Sequence, residues 1–407
     1  MSWPDAPLAG IKVLDLPRVV SGPFGSMQLA DLGADVVKIE EPRQGDEARG
    51  YGPPFIGGES TYFLSVNRNK RSCAIDLKAP AGRDLILRLA AVADVVTENF
   101  RPGTLERLGL GFDTLGKVNE RLIYCAISGF GRTGPDAARP GYDLIVQGES
   151  GIMSLTGEPE GPPSKIGTSV ADLVSGLYAA QAVLAALLRR QQTGRGGRVD
   201  IAMLDAMASL LTVNAGIFFA TGHSPQRRGN AHTTISPYET FEAADGWINI
   251  GVANEKFWHL FCPAIGLARL CDDPRFATNA DRVANRPALK AILDPLFREK
   301  SRRHWLDLLG AHAVPCGEIK TVAEVCTAPQ LTERGMVQSM PHATAGTVRL
   351  VASALRFDDR PQPQPQAPPL LGEHTTAVLT DWLGLERSER QQLAAAGAFG
   401  KAAAAAG

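Results

Sequence analysis

Short apolar runs alternate with amphipathic stretches along the first half of the chain. The runs are rich in β-branched residues (KVLDL, DVVKI, DVVTENF, RLIYCAIS and GRVDIAM), and stretches such as APAGRDLILRLAAV separate them. Continuous apolar runs are typical of strands buried on both faces of a parallel sheet, and the stretches between them are typical of connecting helices. The pattern therefore predicts an α/β domain up to about residue 201.

A different pattern begins at residue 202. The apolar stretch 202–222 predicts a helix that leaves the first domain, and ETFEAADGWINIGV predicts a β-hairpin that turns at Ala244–Gly246. Helical patterns follow, the proline-rich segment 358–369 predicts an extended connection, and the alanine-rich end predicts a disordered tail. We therefore predict four parts: a large domain at 1–222 that includes the exit helix, a small α+β domain at 223–330, a return segment at 331–395 that completes the large domain, and a low-complexity tail at 396–407.

The composition argues against several classes of protein. The chain has 407 residues, of which 44% are hydrophobic and 21% charged, and its 42 basic and 43 acidic residues leave a net charge of −1. A balanced charge gives no reason to expect nucleic acid or an anionic membrane as a partner, and no apolar run approaches the roughly 20 residues that span a bilayer. The N-terminus lacks signal-peptide features, and the six cysteines form no C-x-x-C pair. We therefore expect a two-domain cytoplasmic protein without a metal site.

The first glycine-rich turn has some features of a dinucleotide site. In SGPFGSMQLADLGADVVKIE, a turn with Gly22 and Gly25 leads into a helix and then a strand that ends at Glu40. The dinucleotide fingerprint, however, is G-x-G-x-x-G directly after the first strand, whereas here residues 17–21 intervene and the spacing is G-x-x-G. The residues favour a structural turn, and an NAD-binding oxidoreductase remains an alternative.

Asp172 precedes a long apolar stretch, 173–188, which predicts a helix. The stretch ends in RRQQTGRGG, where basic residues and glycine are helix stop signals. An acid in the first turn stabilises a helix by a few tenths to about 1 kcal/mol through the helix dipole. By itself, the position favours a structural carboxylate, and a chemical role needs further support.

That support comes from motifs spread over residues 8 to about 390. The motifs are GPFGSMQLADLGADVVKIE, ESTYFLSVNRNKRSCAIDLK, DVVTENFRPGTLERLGLGF, SGFGRTGP, the segment 139–190 and PPLLGEHT. In this order they resemble the class III CoA-transferase family, which includes formyl-CoA and carnitine CoA-transferases. The resemblance implies an enzyme that moves CoA from an acyl-CoA to a small carboxylic acid, with the CoA thioester as co-substrate and no permanently bound cofactor. It also implies a large Rossmann-like CoA-binding domain, a ring-shaped monomer and an interlocked homodimer.

The resemblance also implies roles for individual residues. GTSVADLVSGLYA matches the family's nucleophile motif, so Asp172 would attack the thioester, form a mixed anhydride and then carry CoA as an aspartyl thioester. We expect the helix terminus to keep this carboxylate ionised. Basic residues near a helix start suit the phosphates of CoA. The implied CoA contacts are Asn67, Lys70, Arg71, Ile75, Lys78, Asn99, Phe100, Arg101 and Arg107.

The branch of the family follows from departures in three motifs. Related α-methylacyl-CoA racemases have a histidine in a GHD triplet, but this chain has GYD at 141–143, and a tyrosine is a poor base at neutral pH. The formyl-CoA type has a glutamine at the position of Val20 and a glycine run that is missing here. RRGNAHTTISPYETF instead resembles transferases that use succinyl-CoA with dicarboxylates such as glutarate, itaconate or mesaconate. Candidate substrate contacts are Val20, Tyr142, Asp143, Arg228 and His232, the last two for the distal carboxylate; a racemase and a non-enzymatic CoA-binding protein remain alternatives.

Overall fold

A computed structural model of the protein describes residues 5–358 and 364–400. The chain divides into two compact units. The larger unit comprises Met1–Ile152, Lys165–Ala215 and Pro329–Gly407, less the residues that are not described, and the smaller unit comprises Met153–Ser164 and Gly216–Ala328.

The division differs from the predicted domains at residues 153–164, which the sequence analysis assigned to the large domain. In the smaller unit, Gly229 N donates a hydrogen bond to Gly157 O at 3.0 Å, and Arg227 Nη2 donates one to Gly161 O at 2.9 Å. These bonds connect segments about 70 residues apart, so no local pattern in the sequence could indicate them.

The strands of the described chain are β1 (Lys12–Asp15), β2 (Asp35–Glu40), β3 (Phe55–Ile56), β4 (Glu59–Ser60), β5 (Lys70–Ala74), β6 (Val95–Glu98), β7 (Ile123–Ser128), β8 (Gly197–Ala202), β9 (Tyr238–Ala243), β10 (Gly246–Gly251), β11 (Cys316–Glu318), β12 (Val337–His342) and β13 (Gly346–Val351). The α-helices are α1 (Ser21–Asp31), α2 (Thr61–Ser65), α3 (Pro80–Val92), α4 (Thr104–Arg107), α5 (Phe112–Val118), α6 (Asp143–Glu149), α7 (Ile152–Leu155), α8 (Val170–Thr193), α9 (Met203–Ala208), α10 (Thr212–Thr221), α11 (Glu255–Ala264), α12 (Asn279–Ala284), α13 (Arg286–Arg298), α14 (Arg302–Ala311), α15 (Val322–Thr327), α16 (Pro329–Glu333), α17 (Thr375–Leu383) and α18 (Arg387–Ala395). Short 3₁₀ helices cover Glu47–Gly50, Ser209–Leu211 and Ala268–Cys271.

Six strands form the parallel sheet of the larger unit, in the order β5-β2-β1-β6-β7-β8. Successive side chains point to opposite faces, so Val13 joins an apolar cluster with residues of α1 and α8, whereas Leu14 joins another with residues of α3 and α17. The predicted α/β class and the buried parallel strands are confirmed. The strand order reverses between β1 and β6, where the carboxyl ends of parallel strands form a crevice in doubly wound folds.

Close packing of α1 on α8 fixes the start of α8. A Cβ atom added to Gly25 would lie 2.9 Å from Gly176 O, and one added to Gly176 would lie 2.7 Å from Ser21 O. The two backbones can approach this closely only because both positions are glycine. Asp172, one helical turn before Gly176, is thereby held near the first turn of α1.

The structure differs from two expectations about apolar segments: that none approaches the length that spans a bilayer, and that residues 202–222 form one helix. Val170–Thr193 and Met203–Thr221 are long and apolar enough, by length and composition, to cross a bilayer. Ala179, Val183 and Leu187 of the first segment are buried in an apolar cluster of the larger unit, and core helices of globular proteins commonly meet the same criteria. The second segment was predicted as one helix, but it is interrupted at Ser209–Leu211 and at Thr212, whose φ is +23°.

The smaller unit has an antiparallel sheet in the order β11-β10-β9. Ala243 pairs with Gly246, so the predicted hairpin and its turn are confirmed. Phe241 and Ile248 of the sheet pack with Trp258 and Phe297 of the helices in one apolar cluster. This core makes the smaller unit a compact α+β structure of its own.

The C-terminal part of the larger unit continues to residue 400, beyond the predicted end at residue 395. Ala398 is fully buried and its carbonyl accepts a hydrogen bond from Asp76 N at 2.8 Å, while Phe399 packs against the apolar cluster beneath α3 and α17. The predicted tail 396–407 is therefore wrong for residues 396–400, and the remainder lies outside the described residues. Of the proline-rich segment, residues 359–363 lie outside the described residues, and Gln366 exchanges hydrogen bonds with Asn69.

Candidate active site

The start of α8 receives its cap from another helix. Ser169 occupies the cap position, but its hydroxyl accepts no backbone hydrogen bond there. Instead Asp143, the first residue of α6, accepts a hydrogen bond from Ala171 N through Oδ1 at 2.9 Å. A carboxylate distant in sequence therefore satisfies one of the N–H groups that every helix start leaves free.

The carboxylate of Asp172 has no such partner. Within residues 5–358 and 364–400, no group donates a hydrogen bond to it or forms an ion pair with it. Burial is the main reason why the pKa of Asp172 is raised to about 7, and the negative charge of Asp143 adds to the effect. The expectation that the helix terminus keeps Asp172 ionised was therefore too simple, because burial outweighs the helix dipole. An uncovered carboxylate that is about half ionised near pH 7 is available as a nucleophile.

Tyrosines lie beside these two carboxylates. Burial raises the pKa of Tyr62, a hydrogen bond with Ser169 opposes this, and the charges of Asp172 and Asp143 raise it further. The Tyr62 ring makes an edge contact with Tyr51 at 5.4 Å between centroids. The sequence analysis did not single out Tyr62, although it lies in ESTYFLSVNRNK, because Asp143, Ser169 and Asp172 each lie about 80 or more residues away in the chain.

Tyr142 was a predicted substrate contact. It is the cap residue of α6, directly before Asp143, and its side chain is 66% exposed. A phenol at this exposed position is free to contact a ligand. Asp143 is less free, because its two carboxylate oxygens are occupied by Ala171 N and by Gln147 Nε2, the latter at 2.8 Å.

A cleft at the carboxyl ends of β1, β2, β5 and β6 brings together three of the predicted CoA contacts. Ile75, Lys78 and Phe100 line it. Arg18, which the sequence analysis missed, lines the same cleft, and its guanidinium lies 5.0 Å above the Phe100 ring. The cleft occupies the reversal point of the strand order, where doubly wound folds bind nucleotides. Its lining includes an aromatic face, an apolar wall, three cations and four carboxylates.

Three further predicted CoA contacts lie on the loop and helix after β6. Asn99 exchanges hydrogen bonds with the backbone of Arg18, accepting from its N–H at 2.9 Å and donating to its carbonyl at 2.8 Å. Asn99 therefore joins the two loops that flank the cleft. Arg101 and Arg107 are exposed, and neither has an ion pair with another described residue.

The structure places Asn67, Lys70 and Arg71 outside the lining of the cleft. Lys70 is buried and donates hydrogen bonds to Asp15, to Pro23 O and to the side chain of Asn67, which is fully buried as well. Neither of these two side chains has surface to offer CoA. Arg71 is paired with Asp35 and Asp381 and does not line the cleft. A basic motif on a strand buried on both faces supplies structural ion pairs, which its letters alone do not reveal.

The remaining candidates are divided between the units. Val20 is 5% exposed and caps α1 in the larger unit, so it offers little surface. Arg228 lines a cavity of the smaller unit and has no hydrogen bond or ion pair to another described side chain. His232, also in the smaller unit, accepts a hydrogen bond from Thr234 N through Nδ1 at 3.1 Å and lies against the Tyr238 ring. Contact of either residue with a substrate at Asp172 stays a prediction.

Comparison with known proteins identifies the family to which a chain with this cleft and this uncovered carboxylate belongs. The model of CoA-transferase family III matches residues 8–375. The chain therefore belongs to the class III CoA-transferases, which use CoA thioesters as co-substrates, and the prediction of the family and of an enzyme is confirmed.

Individual relatives agree with this membership. The chain is 40% identical to "Succinyl-CoA:glutarate CoA-transferase" of Mus musculus over 96% of this chain and 90% of that protein. It is 41% identical to "Acetyl-CoA:oxalate CoA-transferase" of Acetobacter aceti over 90% of this chain and 94% of that protein. A crystal structure of a CAIB/BAIF family protein from Brucella suis superposes with a TM-score of 0.83 at 42% identity, covering 93% of this chain and 99% of that one.

Proposed function

We propose that this CoA-transferase moves CoA from succinyl-CoA to a C4–C6 dicarboxylate, with Asp172 as the nucleophile. The observation that supports Asp172 as the nucleophile is its carboxylate, which lies at the start of a helix and has no hydrogen-bond donor or cation among the described residues. Carboxylates that are withdrawn from water are usually paired with a cation or a hydrogen-bond donor. Leaving one uncovered is disadvantageous for stability and is typical of reacting groups.

The chemistry needs only carboxylates and a thiolate. Asp172 attacks the thioester carbonyl of succinyl-CoA, the C–S bond breaks, and a succinyl–aspartyl anhydride and the CoA thiolate form. The thiolate then attacks the aspartyl carbonyl and expels succinate, which leaves an aspartyl-CoA thioester. The acceptor carboxylate reverses these two steps and regenerates Asp172. Each step exchanges one anionic leaving group for another, so no net proton transfer is required.

Two sets of groups would hold the substrates. Lys78, Phe100 and Arg18 in the cleft would take the nucleotide part of CoA, since cations bind phosphates and a ring and a guanidinium stack on a base. Arg228 and His232 would contact the distal carboxylate of the acceptor. The name of the relative from Mus musculus supports succinyl-CoA and a dicarboxylate, whereas the name of the relative from Acetobacter aceti makes oxalate the acceptor to test against.

The acceptor is tested by incubating the purified protein and succinyl-CoA with a panel of carboxylic acids and measuring the mass of each new CoA ester. We expect esters of C4–C6 dicarboxylates to form far faster than those of formate, oxalate or carnitine. Efficient turnover of oxalate without turnover of any C4–C6 dicarboxylate would contradict the proposed acceptor while leaving the transferase class intact.

We also propose that the active protein is the interlocked homodimer of ring-shaped monomers that the family resemblance implies. Helix α10 supports this, because Val213 is 59% and Phe219 81% exposed on a strongly apolar helix. Apolar surface of this kind is typical of a subunit interface. Light scattering at micromolar concentration should give the mass of a dimer, and a monomer at that concentration would remove the proposal.

A further inference from the structure

Gln147 has no role in the chemistry described so far, yet it is completely buried beside the active site. It lies one turn after Asp143 on α6. Its amide makes three hydrogen bonds: Nε2 donates to Asp143 Oδ2 at 2.8 Å and to Thr168 O at 3.4 Å, and Oε1 accepts from Ile166 N at 2.9 Å. A buried side-chain amide satisfied in this way holds its partners in one arrangement.

The partners of Gln147 all belong to the approach to α8. Ile166 and Thr168 lie on the segment that leads into the helix, and Asp143 in turn accepts the hydrogen bond from Ala171 N. Gln147 therefore fixes three backbone positions, two directly and one through Asp143, within the six residues that precede Asp172. Ser150 is the cap residue at the C-terminal end of α6. It differs from Gln147, because its hydroxyl donates only to Gln147 O.

The capping of α8 bears on the state of Asp172. A helix start can be capped by the residue at the cap position or by an acid three residues later. In α8 those residues are Ser169 and Asp172, and neither caps; the Ala171 N–H, which a cap residue could bind, donates to Asp143 instead. Ser169 is then available to Tyr62, and Asp172 keeps its carboxylate clear of backbone N–H groups.

We propose that Gln147 is a positioning residue for the reaction: it holds the Asp143 carboxylate in the capping position and orders residues 166–171, so that Asp172 projects uncapped toward the substrate. The inference rests on the proposed role of Asp172 as nucleophile. The alternative is that the buried amide of Gln147 stabilises α6 and has no influence on the position of Asp172.

The two are separated by replacing Gln147 with methionine, which has a similar length and no hydrogen-bonding amide, and by using Ser150→Ala as the control on the same helix. Both variants and the wild type are assayed for CoA transfer from succinyl-CoA to glutarate, and their melting temperatures are measured. A displacement of about 1 Å at a reacting group can slow a reaction on the order of a hundredfold. We expect kcat of Gln147→Met to fall by about tenfold to a hundredfold with the KM for succinyl-CoA changed less than about threefold, and both constants of Ser150→Ala to stay within about twofold.

Hydrogen–deuterium exchange of peptides covering residues 164–173 gives a readout that does not depend on activity. Gln147→Met should speed exchange in these peptides, and Ser150→Ala should not, because only the first removes the acceptor of Ile166 N and loosens that of Ala171 N. If exchange there is unchanged, or if the two variants lower kcat equally, the inference is overturned. If wild type transfers no CoA to any acid, the proposed function fails, and the exchange data still decide whether Gln147 orders this segment.

Discussion

Two sets of carboxylates in the larger unit have surroundings that shift their pKa values in opposite directions. Around β2, Asp46 lies 2.8 Å from Lys38, and Glu40 binds Arg49 at 2.7 Å. Burial alone would raise their pKa values, but the neighbouring cations lower the pKa of both. At the start of α8, Asp172 is half-buried, no cation among the described residues pairs with it, and its pKa is raised to about 7. We infer that the carboxylates around β2, each held by a cation, are structural, whereas the uncovered carboxylate of Asp172 is available for the proposed reaction.

The strongest test of the comparison is Asp172→Asn. The amide keeps the shape of the side chain but cannot attack a thioester, so the rate of CoA transfer should fall by several orders of magnitude, equivalent to more than about 4 kcal/mol of barrier. Affinity for CoA, measured by calorimetry, should change little because the cleft is intact. Incubating wild type with acyl-CoA and then hydroxylamine should modify one peptide, that of Asp172. Near wild-type transfer by the variant, or a label on another residue, would contradict the mechanism.

The next largest effect is expected for Lys70→Met, on stability rather than on chemistry. Lys70 and Asp15 are both buried and lie 3.1 Å apart. Removing the cation leaves Asp15 without its charge partner, and breaking a buried pair in this way costs about 3–5 kcal/mol. Urea unfolding measures the loss. The fraction that stays folded should bind CoA like wild type; a variant with normal stability and weakened CoA binding would restore Lys70 to the binding site.

Of Glu40, Asp46 and Asp172, only Asp172 is expected to determine how the reaction rate depends on pH. The pKa of its carboxyl is raised to about 7, so the reactive ionised form is present above that pH and is lost as the pH falls below it. The rate should decline about tenfold per pH unit below the midpoint. Asp143→Asn removes the second cause of the raised pKa and should move the midpoint to lower pH. A rate that is flat from pH 5 to 8 would show that Asp172 is ionised throughout.

The smaller unit contains a similar contrast, between an arginine that has an ion pair and one that has none among the described residues. Arg228 and Arg298 line one cavity, but Arg298 is paired with Glu242 at 2.8 Å, whereas Arg228 has no ion pair to another described residue. Arg228→Ala should raise the KM for a dicarboxylate by about tenfold with little change in the KM for succinyl-CoA, as expected for loss of one charged contact. Arg298→Ala is the matched control and should leave both constants near wild type. Equal effects of the two variants would assign the cavity no part in acceptor binding.

The smallest effect is expected for the exposed cation of the cleft. Lys78→Met should raise the KM for succinyl-CoA by a few-fold, since one solvent-exposed charge contributes about 1 kcal/mol or less. Its melting temperature should match wild type, in contrast to Lys70→Met. If Lys78→Met leaves the KM unchanged, the cleft binds CoA without this side chain.

The sequence by itself indicated a large part of this fold. Continuous apolar runs rich in β-branched residues identified the parallel strands, and the glycine after RRQQT ended α8, where Gly194 adopts a left-handed φ of +70°. The motif around Asp172 marked this residue as the candidate nucleophile through resemblance to a family. These features are local in the chain, so adjacent residues are enough to specify them.

Other features were decided only by tertiary contacts. NRNKRS contains basic residues that look alike in the sequence, but the sheet buries Lys70 against Asp15 and leaves Lys78 of the following loop exposed. The cap on Ala171 comes from a carboxylate 28 residues away, and Ser169, the local candidate for a cap, turns to Tyr62 instead. Whether a charge is paired, buried or free depends on which distant backbone and side-chain groups the fold brings to it, and short-range hydrophobic periodicity carries no information about those distances.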